Sequence, residues 1–264
     1  MTKISSVMTL IAMASCTMSL CHAAEQYIMA ECNIDTKLCE NSYPVTTLWP
    51  KLKGTPFANV INGGFSDQEY DDYTYMLSAN NFAELTFPTK EYRLLTDDYY
   101  SDAPDILHNG ADVVFEAVYN KNETKAPSSN ATAYVKDDNI VFYSGDWRAP
   151  SQKLIAAFPA LAGTVFAKHL TAAVAKPGTQ GKHVYLFSGS KAATLDTVSK
   201  KFVDAPVDID KAWKNLWNSE RGVHGAIRSG KKNTIYLFTY EQKVPAEPPA
   251  GVKPPPGCQD CIPK

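Results

Sequence analysis

Hydrophobic and polar positions follow one recurring order along this chain. An aromatic or aliphatic anchor comes first, then a short strand of small and apolar residues, then a polar hairpin turn, then an aromatic strand. Near the C-terminal end the order is Ala212-Trp213-Lys214-Asn215-Leu216, then Gly222-Val223-His224-Gly225-Ala226-Ile227, a turn at 228–233, and Thr234-Ile235-Tyr236-Leu237-Phe238. It recurs upstream as Ala157-Phe158-Pro159-Ala160-Leu161, then His169-Leu170-Thr171-Ala172-Ala173-Val174, a turn at 175–182, and His183-Val184-Tyr185-Leu186-Phe187. The two Tyr-Leu-Phe runs begin 51 residues apart, at Tyr185 and Tyr236. The first copy carries Leu48-Trp49-Pro50-Lys51-Leu52, Val60-Ile61-Asn62-Gly63-Gly64-Phe65 and Tyr73-Thr74-Tyr75-Met76-Leu77. The second is the least regular: Ala103 to Leu107 is its anchor, Val113 to Tyr119 its strand, and a swollen turn at 120–129 precedes Ala131 to Val135 and Ile140 to Tyr143.

Repetition at a fixed period predicts stacked, equivalent units. Each copy reads as three or four short strands with a helical turn at the anchor. One such unit cannot bury both faces of its sheet, whereas four set radially can, because each packs on the next around an axis. Gly63, Gly64, Ala172, Ala173, Gly225 and Ala226 occupy one offset in three of the four copies, where only small residues let four innermost strands approach. The expected fold is all-β, with the repeats spanning 43–244.

The flanks change the picture next. Lys3, the apolar run Val7 to Ala14 and the small pair Ala23-Ala24 make residues 1–23 a secretory signal, too short to span a membrane as a mature helix. Met13-Ala14-Ser15-Cys16 is a poor match to a lipoprotein box. With the signal removed, Cys32 and Cys39 remain in the segment 24–42 and Cys258 and Cys261 in the Pro-rich tail 245–264. An even number of cysteines in an oxidising compartment points to two structural disulfides, with a four-Cys zinc site as the weaker reading. Two local loops (Cys32–Cys39, Cys258–Cys261) and two cross-links between the ends both satisfy the count. The expected location is extracellular, or periplasmic in a bacterium. Asn122-Glu-Thr124 and Asn130-Ala-Thr132 are glycosylation sequons for a eukaryotic host. The whole 264-residue chain has a formal charge of −2, which supplies no basic field for nucleic acid.

On the residues quoted above, the chain resembles the hemopexin-like repeat family. Its Trp or Phe anchors before Leu match Trp49, Phe158 and Trp213 with Leu52, Leu161 and Leu216. Its small-residue strand matches Ile61 to Phe65, Leu170 to Val174 and Val223 to Ile227. Its Tyr-Phe-Phe-like strand matches Tyr185 to Gly189 and Tyr236 to Phe238. The resemblance implies a four-bladed β-propeller, and a disulfide tying first blade to last, hence at least one cross-link between the chain ends. It also implies a channel whose inner-strand carbonyls hold calcium or sodium. The family's inner-strand Asp is replaced by Asn62, Thr171 and His224, with Glu116 the candidate in the second copy, or Asp112 after a shift of register. These side chains are expected to gather near the axis as metal-binding candidates.

Catalysis finds no support: Gly-x-Ser-x-Gly, His-Glu-x-x-His, P-loop and dinucleotide fingerprints are all absent. The paired acids Asp71-Asp72, Asp97-Asp98 and Asp137-Asp138 fall in predicted turns, where Asp bonds its own backbone. Three non-enzymatic readings follow. The first is a small-ligand binder, the resemblance suggesting haem, with His224 or His108 as axial donor. The second is a module that binds an extracellular or matrix protein through Tyr-rich segments, with homodimerisation also expected. The third is a polyamine binder using the acidic loops 67–72 and 97–102.

Overall fold

The computed structural model describes residues 25–66, 73–87, 90–95, 102–119, 130–144, 150–217 and 219–242. The signal 1–23, the tail 245–264 with Cys258 and Cys261, and Asn122 lie outside the described residues. Asn130, the other sequon, opens a strand. The residues Glu25–Glu241 form one compact unit.

The structure is mostly β. In chain order the strands are β1 (Glu25–Asn33) and β2 (Leu38–Pro44), then β3 (Gly63–Phe65), β4 (Tyr73–Ser78), β5 (Asn81–Thr86) and β6 (Glu91–Leu95). They continue with β7 (Val113–Val118), β8 (Asn130–Lys136), β9 (Asn139–Tyr143) and β10 (Gln152–Lys153). The third copy supplies β11 (Ala172–Ala175), β12 (His183–Ser188), β13 (Lys191–Asp196) and β14 (Lys201–Asp208), and the fourth β15 (Gly225–Arg228) and β16 (Thr234–Gln242). The first two copies share one eight-stranded sheet, joined where β3 and β7 run parallel with Gly63 opposite Val114. The backbones come close at that seam: a Cβ on Gly63 would lie 2.4 Å from the Val114 carbonyl oxygen.

Among the described residues, the fourth copy has only two strands of its own. Its sheet runs β15-β16-β1-β2, so the N-terminal strands complete it. This moves the start of the folded unit from 43 back to Glu25, and β1 and β2 form the outer half of that sheet. The expectation that Cys32 or Cys39 cross-links the chain ends is also corrected. Cys32 and Cys39 face each other across the β1–β2 hairpin, with Cα atoms 4.0 Å apart, and are bonded to one another. Hydrogen bonds between β16 and β1 join the ends instead. Ile34 N–H donates to the Asn233 carbonyl at 2.9 Å, and Lys231 reaches Glu31 at 2.6 Å.

Helical turns recur at the anchors: α1 (Val45–Leu48), α2 (Leu154–Ala157) and α3 (Ile209–Ala212). Each delivers its aromatic residue, Trp49, Phe158 or Trp213, whose N–H bonds the carbonyl four residues earlier. Pro50 and Pro159 then open 3-10 turns, where their missing N–H costs nothing.

Apolar side chains form four clusters, each shared by two neighbouring copies. One joins the second and third copies (Phe115, Phe142, Phe158, Leu186) and one the third and fourth (Val174, Phe187, Trp213, Leu237). A further cluster joins the fourth and first (Met29, Trp49, Met76, Phe238), and the last joins the first and second (Leu77, Phe82, Val114, Tyr134). Successive side chains of a strand point to opposite faces. Along β16, Ile235 and Leu237 therefore enter one cluster while Tyr236 and Phe238 enter the next. Burial on both faces explains why the Tyr-Leu-Phe runs are continuously apolar rather than alternating.

Candidate functional site

The innermost strands β3, β7, β11 and β15 pack on one another in chain order, with β15 also against β3. One residue precedes each of them in an identical way. Asn62 N–H donates to the Leu77 carbonyl, Asp112 to Val135, Thr171 to Phe187 and His224 to Phe238, at 2.8, 2.8, 2.9 and 2.8 Å. Asn62, Asp112, Thr171 and His224 are therefore equivalent. The candidate in the second copy is Asp112, and Glu116 is corrected to a position four residues further on. Counting alone could not choose between them, because both acids border the same apolar run Val113-Val114-Phe115.

Two of the side chains at this level reach the neighbouring copy, and two bond within their own. Asn62 Nδ2 donates to the Asp112 carbonyl at 3.3 Å while its Oδ1 accepts Ala79 N–H at 2.6 Å. The Thr171 hydroxyl donates to the Val223 carbonyl. Asp112 turns towards its own hairpin, taking Lys136 Nζ at 2.6 Å and Asp137 N–H at 2.8 Å. His224 Nε2–H donates to the Arg221 carbonyl at 3.0 Å, and its ring meets Tyr240 at 5.3 Å between centroids. These side-chain oxygens are spent on backbone and lysine partners, so they do not fit a cation cage. Among the described residues, no three His, Cys, Asp or Glu side chains gather as a metal site. His108 sits in the surface turn before β7, 3.9 Å from Asp105 Oδ1. Most of the acidic loops 67–72 and 97–102 fall outside the described residues.

The seam between the third and fourth sheets carries an unforeseen cationic contact. Lys37, in the β1–β2 turn, places Nζ 3.7 Å from the Tyr185 ring centroid and 4.3 Å from that of Trp213. Burial pushes its amine down to about 8, opposed by the Asp204 and Asp35 carboxylates. An unfolded chain keeps this proton up to the ordinary 10.5, so between pH 8 and 10.5 the unfolded state binds more protons and stability rises with pH. Melting temperatures from pH 7.5 to 10 are expected to show this rise, and Lys37→Met to flatten it. An unchanged slope in Lys37→Met would mean that Lys37 is not its source.

Known proteins share this arrangement. The crystal structure of hemopexin fold protein CP4 from cow pea superposes with TM-score 0.53 at 22% identity, covering 67% of this chain and 81% of that one. A Cicer arietinum plant albumin showing hemagglutination gives 0.56 at 22% identity, covering 70% and 87%. This chain has the hemopexin fold. A third hemopexin-fold likeness is a Cicer arietinum plant lectin with two metal binding sites, at TM-score 0.55 and 23% identity over 69% of this chain and 86% of that chain. In sequence, the chain is 34% identical to Albumin-2 of Lathyrus sativus over 90 residues, which is 33% of this chain and 39% of that protein. The match thus spans well under two thirds of the relative's length. No family model matches the chain.

Proposed function

We propose that the chain is a non-enzymatic, extracellular binding protein built as a four-bladed propeller. Support for the propeller comes from the four clusters, one of which joins the fourth copy to the first. Support for an oxidising compartment comes from the Cys32–Cys39 bond. The observation that carries the binding reading is the recurrence of four polar residues, Asn62, Asp112, Thr171 and His224, at one level, immediately before the innermost strands. A small ligand docks at this level. Haem is the form with a definite test, because His224 is the one residue of the four that ligates iron. With Nε2 donating to Arg221, the ligating atom is Nδ1. A calcium or sodium ion at this level rests on backbone carbonyls, since the side-chain oxygens are spent.

Titrating the purified protein with haemin is expected to shift the Soret band, with the shift lost in His224→Ala and kept in His108→Ala. No shift at micromolar protein removes the haem form. A second reading, recognition of a cell-surface glycan or protein, is favoured by the hemagglutinating albumin and the lectin among the fold neighbours. Erythrocyte agglutination without a haemin response would select it.

A further inference from the structure

Four residues beyond the polar level lies a second equivalent set: Ser66, Glu116, Ala175 and Arg228. In β7, β11 and β15 these residues still belong to the innermost strand, and Ser66 directly follows β3. The set holds two small residues, from the first and third copies, and two long charged ones, from the second and fourth. Glu116 and Arg228 therefore come from copies that do not follow one another in the chain. Their side chains meet, Arg228 Nη1 to Glu116 Oε1 at 3.6 Å, with 15% and 5% of their surfaces exposed. Ser66 N–H, from a third copy, donates to the same Oε1 at 2.6 Å. Ser66 and Ala175, themselves buried, are small enough to leave the space that the two long side chains fill.

We infer that Glu116 and Arg228 form an axial tie, the chain's own anion and cation occupying this end of the channel and coupling the second, first and fourth copies. A carboxylate at this depth needs an opposite charge, because an isolated buried charge is strongly unfavourable. A guanidinium already at 3.6 Å supplies it and repels any metal cation that would compete for Glu116. The arrangement departs from the expectation that Glu116 serves a channel ion.

Substitution with and without calcium tests the tie. Glu116→Gln and Arg228→Met are each expected to lower the melting temperature by several degrees. The double variant is expected to melt no lower than the worse single variant, since each partner is costly chiefly when the other is left behind. Additive losses in the double variant overturn the tie. Arg228→Met leaves the Glu116 carboxylate to be neutralised, so millimolar calcium should raise its melting temperature more than it raises that of the unaltered protein. Equal gains would show that Arg228 does not shield Glu116 from cations and would overturn the tie, and a gain in the unaltered protein that Glu116→Gln abolishes would show that Glu116 serves a bound cation instead. If Arg228→Met fails to fold, the comparison of Glu116→Gln with the double variant still decides: a double variant that folds and melts no lower supports the tie, and one that melts well below Glu116→Gln, or fails to fold, overturns it.

Discussion

Replacing Gly225 by alanine is expected to be among the most damaging single changes in this protein. Gly225 opens β15, where the last sheet meets the chain segment entering the first. A Cβ there would stand 1.8 Å from the Ile61 carbonyl oxygen and 3.0 Å from the Tyr27 hydroxyl. The nearest obstacle is backbone, so no rotamer change relieves it. The Tyr27 hydroxyl donates to that same Ile61 carbonyl and accepts Ile61 N–H, both at 3.1 Å, and burial holds the phenol well above its ordinary pKa. Forcing the seam apart therefore adds overpacking, about 1–3 kcal/mol, to broken buried hydrogen bonds, about 1–3 kcal/mol for each group left unsatisfied. A loss of about 4 kcal/mol is a large share of a typical stability of about 5–15 kcal/mol. For a domain of this size it corresponds to a fall in melting temperature of roughly 8–16 °C. A calorimetric scan in which Gly225→Ala melts within a degree or two of the unaltered protein would show that the seam is looser than described.

The second large effect is expected at Trp213. Its side chain is 2% exposed and lies edge-on to Tyr185 at 5.3 Å and tilted against Phe187 at 6.4 Å. Both partners belong to the preceding sheet, so the anchor of the fourth copy fastens the third sheet to the fourth. Trp49 repeats the geometry one seam on, at 5.3 Å from Tyr236 and 6.3 Å from Phe238. Trp213→Ala is expected to cost about 3–5 kcal/mol through cavity and lost transfer energy. Loss of the ring under Lys37 adds about 0.5–2 kcal/mol. Urea unfolding should show a lowered midpoint with an unchanged slope, and Trp213→Phe should recover part of the loss. A midpoint that hardly moves would mean that the neighbouring cluster closes over the cavity.

Much of this was legible beforehand. The anchors were visible because an aromatic before Pro or Lys and Leu recurs at Trp49, Phe158 and Trp213. Their targets were not, since contact with the previous sheet leaves no local mark. Asn62, Thr171 and His224 were placed in register by the small pairs that follow them. In the second copy Val113 and Val114 replace that pair, and the choice between Asp112 and Glu116 was settled only by the Asp112 hydrogen bond to Val135. Lys37 carried no signal at all, its significance depending on two rings about 150 and 175 residues away in the chain.

By itself the sequence determined the repeating unit, its strand content and the small residues of the innermost strands, because these follow from periodicity and from the space available to single residues. Only the tertiary structure decided how the last sheet is completed, which cysteine Cys32 joins, and that Glu116 faces Arg228. Each of these depends on which distant segments share an edge or an axis. Among the described residues the fourth copy supplies β15 and β16, and the N-terminal strands extend its sheet because an unpaired, doubly buried strand edge leaves backbone polar groups unsatisfied.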